Sequence, residues 1–123
     1  MRRYKLAAIS DIHGNAEALH AVLQDIDRQG VDGIVVCGDL VVYCPQPEEV
    51  IAVLQERRDI RGIISGNTDR YLIEQREFSS TQVWQQELLQ LFGWTMDRIG
   101  PSGMTWLRSL EKTYRFEDVL FVH

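Results

Sequence analysis

At 123 residues the chain has material for one domain and little more, and its 45% hydrophobic content argues for a packed core and against disorder. A net charge of -5 leaves no basic stripe for wrapping nucleic acid or binding anionic lipid, while a small phosphorylated ligand stays compatible because a bound metal reverses the local field. No run approaches the roughly 20 apolar residues of a membrane span, the start carries no secretory h-region, and Cys37 and Cys44 have neither CxxC spacing nor disulfide density, so the expectation is a cytoplasmic protein with reduced thiols.

Tyr4 to Ile9 reads as a short apolar strand that stops on Ser10-Asp11-Ile12-His13-Gly14-Asn15. Asp11 and His13, a hard and a borderline ligand two residues apart in a turn, can converge on one cation. Asn15 suits the N-cap of a following helix and Glu17 its positive end. Leu19, Val22, Leu23 and Ile26 then form the stripe of a helix lying on a sheet, until Gly30 ends it. His20 falls off that stripe and reads as a surface histidine.

Gly33 to Cys37 is the β-branched run of a parallel strand covered on both faces, and it delivers Gly38-Asp39 at its carboxyl end. After the loop Tyr43-Cys44-Pro45-Gln46, Pro47 suits a first helical position, Glu48 and Glu49 suit a helix start, and Val50, Ile51 and Leu54 face inward. Ile60 to Ser65 reads as a third strand that breaks into a third polar loop, Gly66-Asn67-Thr68-Asp69. Three βα units in a row predict a parallel sheet joined by right-handed crossovers, with ligands bound beyond the carboxyl ends of its strands.

From Arg70 to Gly100 the chain turns Gln-rich and aromatic. Trp84, Leu88, Leu91, Phe92 and Thr95 at helical spacing read as a helix on the body of the domain, and a lid over the site is the alternative for the helical segment 70–111. Pro101 starts another short helix with Met104, Leu107 and Leu110 facing in. Thr113 to Phe116 and Val119 to His123 then return to strand pattern across a Glu117-Asp118 turn, and the last strand again ends on a metal-capable side chain.

Taken singly these motifs are ordinary, since turns and caps also use Asp39 and Asn67. Together, four strand-like runs end on Asp11/His13, Asp39, Asn67 and His123, which gathers polar side chains along one sheet edge. The order Asp11-Ile12-His13-Gly14-Asn15, Gly38-Asp39, Gly66-Asn67-Thr68-Asp69, Val122-His123 resembles the calcineurin-like metallophosphoesterase superfamily, nearest its small single-domain prokaryotic phosphodiesterases. The likeness extends through the segment from Asp39 to Pro47.

The resemblance implies an α/β fold: the N-terminal part of a metallophosphoesterase β-sandwich flanked by helices, with a βαβαβ start, a helical middle and a C-terminal β-hairpin, in one domain over 1–123. It implies two divalent ions, Mn, Fe or Zn, with Asp11 and His13 on the first, Asp39 bridging, and Asn67 and His123 on the second. It implies Asp39, Asn67 and Asp69 as the catalytic set, with Asn15, Asn67 and Tyr43 toward the substrate. The implied reaction is hydrolysis of a phosphomonoester or phosphodiester, for which two cations about 3.5–4 Å apart activate water and clamp the phosphate. No side-chain nucleophile is required of the protein.

Two departures from the family pattern shape the expectations. Thr68 stands where many members carry a histidine that protonates the leaving group, so activity should favour good leaving groups or rely on water or Asp69. The family's final Gly-His-x-His motif is not reached by His123, which leaves about three protein ligands per ion and an uncovered sheet face. The expectation is therefore a truncated member, a fragment, or a chain completed as a homo-oligomer or by another chain. The rival expectation is an inactive binding or assembly module of the same fold.

Overall fold

The computed structural model describes residues 2–74 and 83–123. Strand β1 (Leu6–Ile9) pairs in parallel with β2 (Gly33–Cys37), which it reaches through helix α1 (Ala16–Gln29). Helix α2 (Pro47–Glu56) then leads to β3 (Ile60–Ile64), parallel to β2 on its other edge, so the sheet order is β1-β2-β3. The central strand is the most apolar because it has neighbours on both edges and cover on both faces: Ile34, Val35 and Val36 are fully buried. Helix caps follow the sequence reading. Asn15 accepts from the Ala18 amide at 3.0 Å, Gly30 ends α1 in the left-handed region at φ 59°, and Pro47 opens α2.

On one face of the sheet, Leu19, Leu23, Ile26, Val50, Ile51 and Leu54 of the two crossover helices pack with Ile34 and Val36 in a single core. Helices α3 (Asn67–Glu74) and α4 (Val83–Ser109) extend that core with Leu72, Phe92, Ile99 and Leu107, and α4 packs along α2 and α3. A break at Gly100, with φ 67° and ψ -177°, splits α4 so that Pro101 starts a second helical stretch, as its lack of an amide proton requires.

The opposite face meets an antiparallel hairpin, β4 (Thr113–Phe116) and β5 (Val119–Val122), in which Tyr114 pairs with Phe121. The Tyr114 ring lies so close on Gly62 that a Cβ there would sit 2.5 Å from its Cγ. Phe116 meets Tyr4 edge to face with ring centroids 5.0 Å apart. By alternation Val35, buried but outside the helix-side core, turns to the hairpin. The hairpin thus begins a second sheet over the first, in agreement with the α/β, sandwich-type expectation. Among the described residues no helix is long and apolar enough to cross a membrane.

Three local expectations are corrected. Val22 is exposed rather than part of the α1 stripe, whose fourth member is Ala16, because a stripe of Ala16, Leu19, Leu23 and Ile26 leaves Val22 on the flank. Trp84 is likewise exposed, and only Phe92 and Thr95 of its series are fully buried, since α4 meets the body toward its middle. Gly66-Asn67-Thr68-Asp69 is not a loop: Asn67 already opens α3, with the Arg70 amide on the Gly66 carbonyl at 3.2 Å. Of the helical segment 70–111, residues 75–82 lie outside the described residues.

Candidate metal centre

The three parallel strands end at one edge, and the chain leaving β1 is laced to the chain leaving β2. The amides of Asp11, His13 and Gly14 donate to the carbonyls of Gly38, Asp39 and Leu40 at 3.0, 2.9 and 2.8 Å, and Cys44 and Gln46 return bonds to His13 and Gly14 at 2.8 and 2.9 Å. This lacing holds Asp11, His13, Asp39 and Tyr43 in the left-handed region, at φ 59°, 50°, 56° and 98°. Each such residue costs roughly 1–2 kcal/mol, so four together persist only because the lacing restrains them. Gly66 lets the third strand approach: a Cβ there would fall 2.2 Å from Asp39 Oδ1.

Asp11, Asp39 and His123 each offer a ligand atom, and these atoms lie within 4.8 Å of one another. His13 Nε2 is 3.3 Å from Asp11 Oδ1 and 3.7 Å from Asp39 Oδ2, and His123 Nε2 is 3.4 Å from Asp39 Oδ2. Both rings are oriented from behind. The Nδ1–H of His13 donates to the Val42 carbonyl at 3.1 Å and that of His123 to the Cys37 carbonyl at 2.6 Å. That tautomer turns the Nε2 lone pair of each ring toward Asp39. The Asn67 carboxamide reaches the same point, 2.9 Å from His123 Nε2 and 3.2 Å from both Asp39 oxygens. With nitrogen inward it donates to Asp39 and His123, and with oxygen inward it adds a further ligand. Two carboxylates, two imidazole nitrogens and a carboxamide oxygen are a donor set for first-row divalent ions, so the residues present fit the metals that the resemblance implies.

The two carboxylates differ in setting. Asp11 is exposed, and the Ser10 hydroxyl at 2.6 Å, helped by His13 and His123, holds its carboxyl below the ordinary value against a small opposing effect of burial. Asp39 is only 5% exposed. Its Oδ1 accepts from both the amide and the hydroxyl of Thr68 at 3.0 Å, which leaves Oδ2 facing the histidines.

Asp69 sits beneath this cluster rather than in it. Fully buried, it accepts from the amides of Asp39 at 2.8 Å, Gly66 at 2.9 Å and Leu40 at 2.9 Å. Burial pushes its carboxyl upward while these amides pull it down. The expectation that Asp69 serves near the leaving group is therefore at odds with its position, because both of its oxygens are engaged by the main chain. Asn15 spends its side-chain oxygen on the helix cap, and Tyr43, 51% exposed, stands edge-on to His13 with ring centroids 5.1 Å apart. His20 lies away on the surface, 3.2 Å from Glu49, and both cysteines are free. The sequence reading missed Thr68 as a partner of Asp39, for which its position directly after Asn67 was the only signal. The carbonyls of Val42 and Cys37 leave no side-chain signal at all.

Residues 4–101 match the calcineurin-like phosphoesterase superfamily domain. A crystal structure of a metallophosphoesterase from Sphaerobacter thermophilus superposes with a TM-score of 0.72 at 27% identity, over 97% of this chain and 46% of that one. The hypothetical protein PH1004 from Pyrococcus horikoshii OT3 shares the fold with a TM-score of 0.72 at 23% identity, over 89% of this chain and 49% of that one. An uncharacterized protein of Methanocaldococcus jannaschii, MJ0912, is 43% identical over 56 residues, 46% of this chain and 23% of that protein. The chain thus spans about half the length of the two solved structures and matches less than a quarter of MJ0912. With the match running from the first strand into the last helix, and with the strand-end cluster in place beneath it, the chain belongs to the calcineurin-like phosphoesterase superfamily.

Proposed function

We propose that this chain carries the dinuclear metal centre of a cytoplasmic phosphoesterase acting on a small phosphorylated substrate, a phosphomonoester or phosphodiester. The observation that supports it is the convergence of His13 Nε2 and His123 Nε2 on one oxygen of Asp39, from opposite ends of the chain. In this reading Asp11 and His13 would hold one ion, Asn67 and His123 the other, and Asp39 would be shared by both. Two bound divalent ions, Mn²⁺, Fe or Zn²⁺, supply Lewis acidity to the phosphoryl oxygens and lower the pKa of bound water. The chain's own part is to hold five ligands at one edge and to orient both imidazoles through main-chain carbonyls. Tyr43, exposed above His13, forms the wall along which the substrate's organic group lies. Asn67 directs its carboxamide at the phosphate as well as at Asp39, and Asn15 acts through the start of α1.

A second reading, an inactive binding or assembly module, draws its support from Thr68, whose hydroxyl is bound to Asp39 Oδ1 at 3.0 Å and so supplies no proton to a leaving group. Metal analysis with an activity assay separates the two. The enzyme reading expects close to two transition ions per chain and Mn²⁺-dependent hydrolysis of bis-p-nitrophenyl phosphate, abolished by Asp39→Asn. Background turnover after metal addition, with no bound ions, overturns it in favour of the module.

A further inference from the structure

We infer that Thr68 and Asp69 form a two-part clamp on Asp39, a pair of positioning residues that turn Oδ2 of that carboxylate toward the two histidines. The consequence for cation binding rests on the metal reading given above, whereas the clamp itself rests on geometry alone.

A carboxylate offers about four acceptor positions on two equivalent oxygens. On Asp39 that equivalence is broken: the Thr68 amide and hydroxyl both donate to Oδ1 at 3.0 Å, while Oδ2 faces the two Nε2 atoms at 3.4 and 3.7 Å. Rotation of the carboxylate to exchange its oxygens would break both Thr68 bonds. Thr68 is itself only 4% exposed, so water does not readily replace it. The hydroxyl proton is committed to Asp39, which takes Thr68 out of proton transfer and gives it a structural task in the site.

Asp69 holds the main chain under the same residue. At φ 56°, Asp39 is turned out of the strand, and its amide and that of Leu40 point into the protein. Buried amides need acceptors, and the Asp69 carboxylate provides them for Asp39, Leu40 and Gly66 together. An apolar residue would fill the space at lower desolvation cost but would orphan three donors. A carboxylate at this position ties the ends of β2 and β3 to the start of α3, so adjacent residues of one helical turn fix both the backbone and the side chain of Asp39.

The test has a metal-free and a metal-dependent part, both on the 123-residue chain. Without metal, the amides of Asp39, Leu40 and Gly66 should be protected from hydrogen exchange. Asp69→Asn, whose amide nitrogen must face a donor, should speed them by about tenfold or more. With Mn²⁺, Thr68→Val should weaken binding by roughly 10–100-fold, the effect of losing an outer partner of a ligand, and Thr68→Ser should restore it. Unprotected amides in the wild type, or equal Mn²⁺ affinity in wild type and Thr68→Val, overturn the clamp. A wild type that binds no Mn²⁺ while its amides respond as described overturns the metal reading and supports the clamp. Should Asp69→Asn fail to fold, the Thr68 series and the wild-type protection still decide.

Discussion

His123 Nε2 lies 3.4 Å from Asp39 Oδ2 although 84 positions separate them in the chain (123 minus 39). The contact exists because β5, paired with β4, packs against β2 and brings His123 to the strand's end, where the Cys37 carbonyl accepts from His123 Nδ1. Replacing a direct ligand should cost more than the roughly 10–100-fold of an outer partner. His123→Ala is therefore expected to weaken Mn²⁺ binding by more than 100-fold with little change in far-UV circular dichroism. Calorimetric titration reads this directly, and unchanged affinity would remove His123 from the centre.

Gly66 and Asp39 pack too closely for any side chain at position 66. A Cβ would meet Asp39 Oδ1 at 2.2 Å and the Asp39 amide nitrogen at 2.3 Å, both belonging to a restrained loop. Gly66→Ala should destabilise the fold by about 1–3 kcal/mol, the usual range for overpacking. Urea unfolding gives the value, and on the proposed assignment of Asp39 to both ions Mn²⁺ affinity should fall with it.

Tyr43 is held at φ 98° with half of its surface exposed, which makes its stability effect small and its functional effect separable. Relief of left-handed strain by Tyr43→Gly recovers about 1–2 kcal/mol, offset by about 0.5–1 kcal/mol of added chain entropy and about 0.5–1.5 kcal/mol of ring contact with His13. The net change should stay within about 1 kcal/mol. KM for an aryl phosphate ester should nevertheless rise, and a KM that does not move would exclude Tyr43 from the substrate wall.

Arg57 joins α1, the end of α2 and the start of β3. Its guanidinium donates to Asp59 at 2.7 and 3.0 Å and also to Asp27. The Arg57 bonds hold the Asp59 carboxyl below its usual range, outweighing its desolvation. A depressed folded value gives stability that is present above the unfolded carboxylate value, about 3.9, and is lost as pH falls through the folded one. The Asp59 side chain is 42% exposed, so the contribution is discounted to about 1 kcal/mol or less. Asp59→Asn should lower the urea midpoint slightly at pH 7, and the difference should shrink as pH falls below the unfolded carboxylate value of about 3.9. An undiminished difference in acid would assign the effect to packing.

Much of this protein is legible in its residues. Short apolar runs marked the three parallel strands, Asn15, Gly30 and Pro47 marked helix ends, and the strand-end series Asp11, His13, Asp39, Asn67 and His123 carried the family resemblance. These features are local: each depends on a periodicity or a cap within one segment, which the segment encodes by itself.

What the sequence did not settle was settled by segments meeting. Val22 and Trp84 fit an apolar stripe but face outward, because the width of a buried face depends on what packs against it. Asp69 looked equally suited to a cap or to the site, and its direction was decided by three amides that only the turn at Asp39 exposes. The histidine tautomers depend on carbonyls of Val42 and Cys37, which carry no side-chain information. Sequence alone determined which residues arrive at the sheet edge. The tertiary structure decided which oxygen, which nitrogen and which proton each of them presents, because hydrogen-bond partners 29 to 86 positions away cannot be read from local pattern.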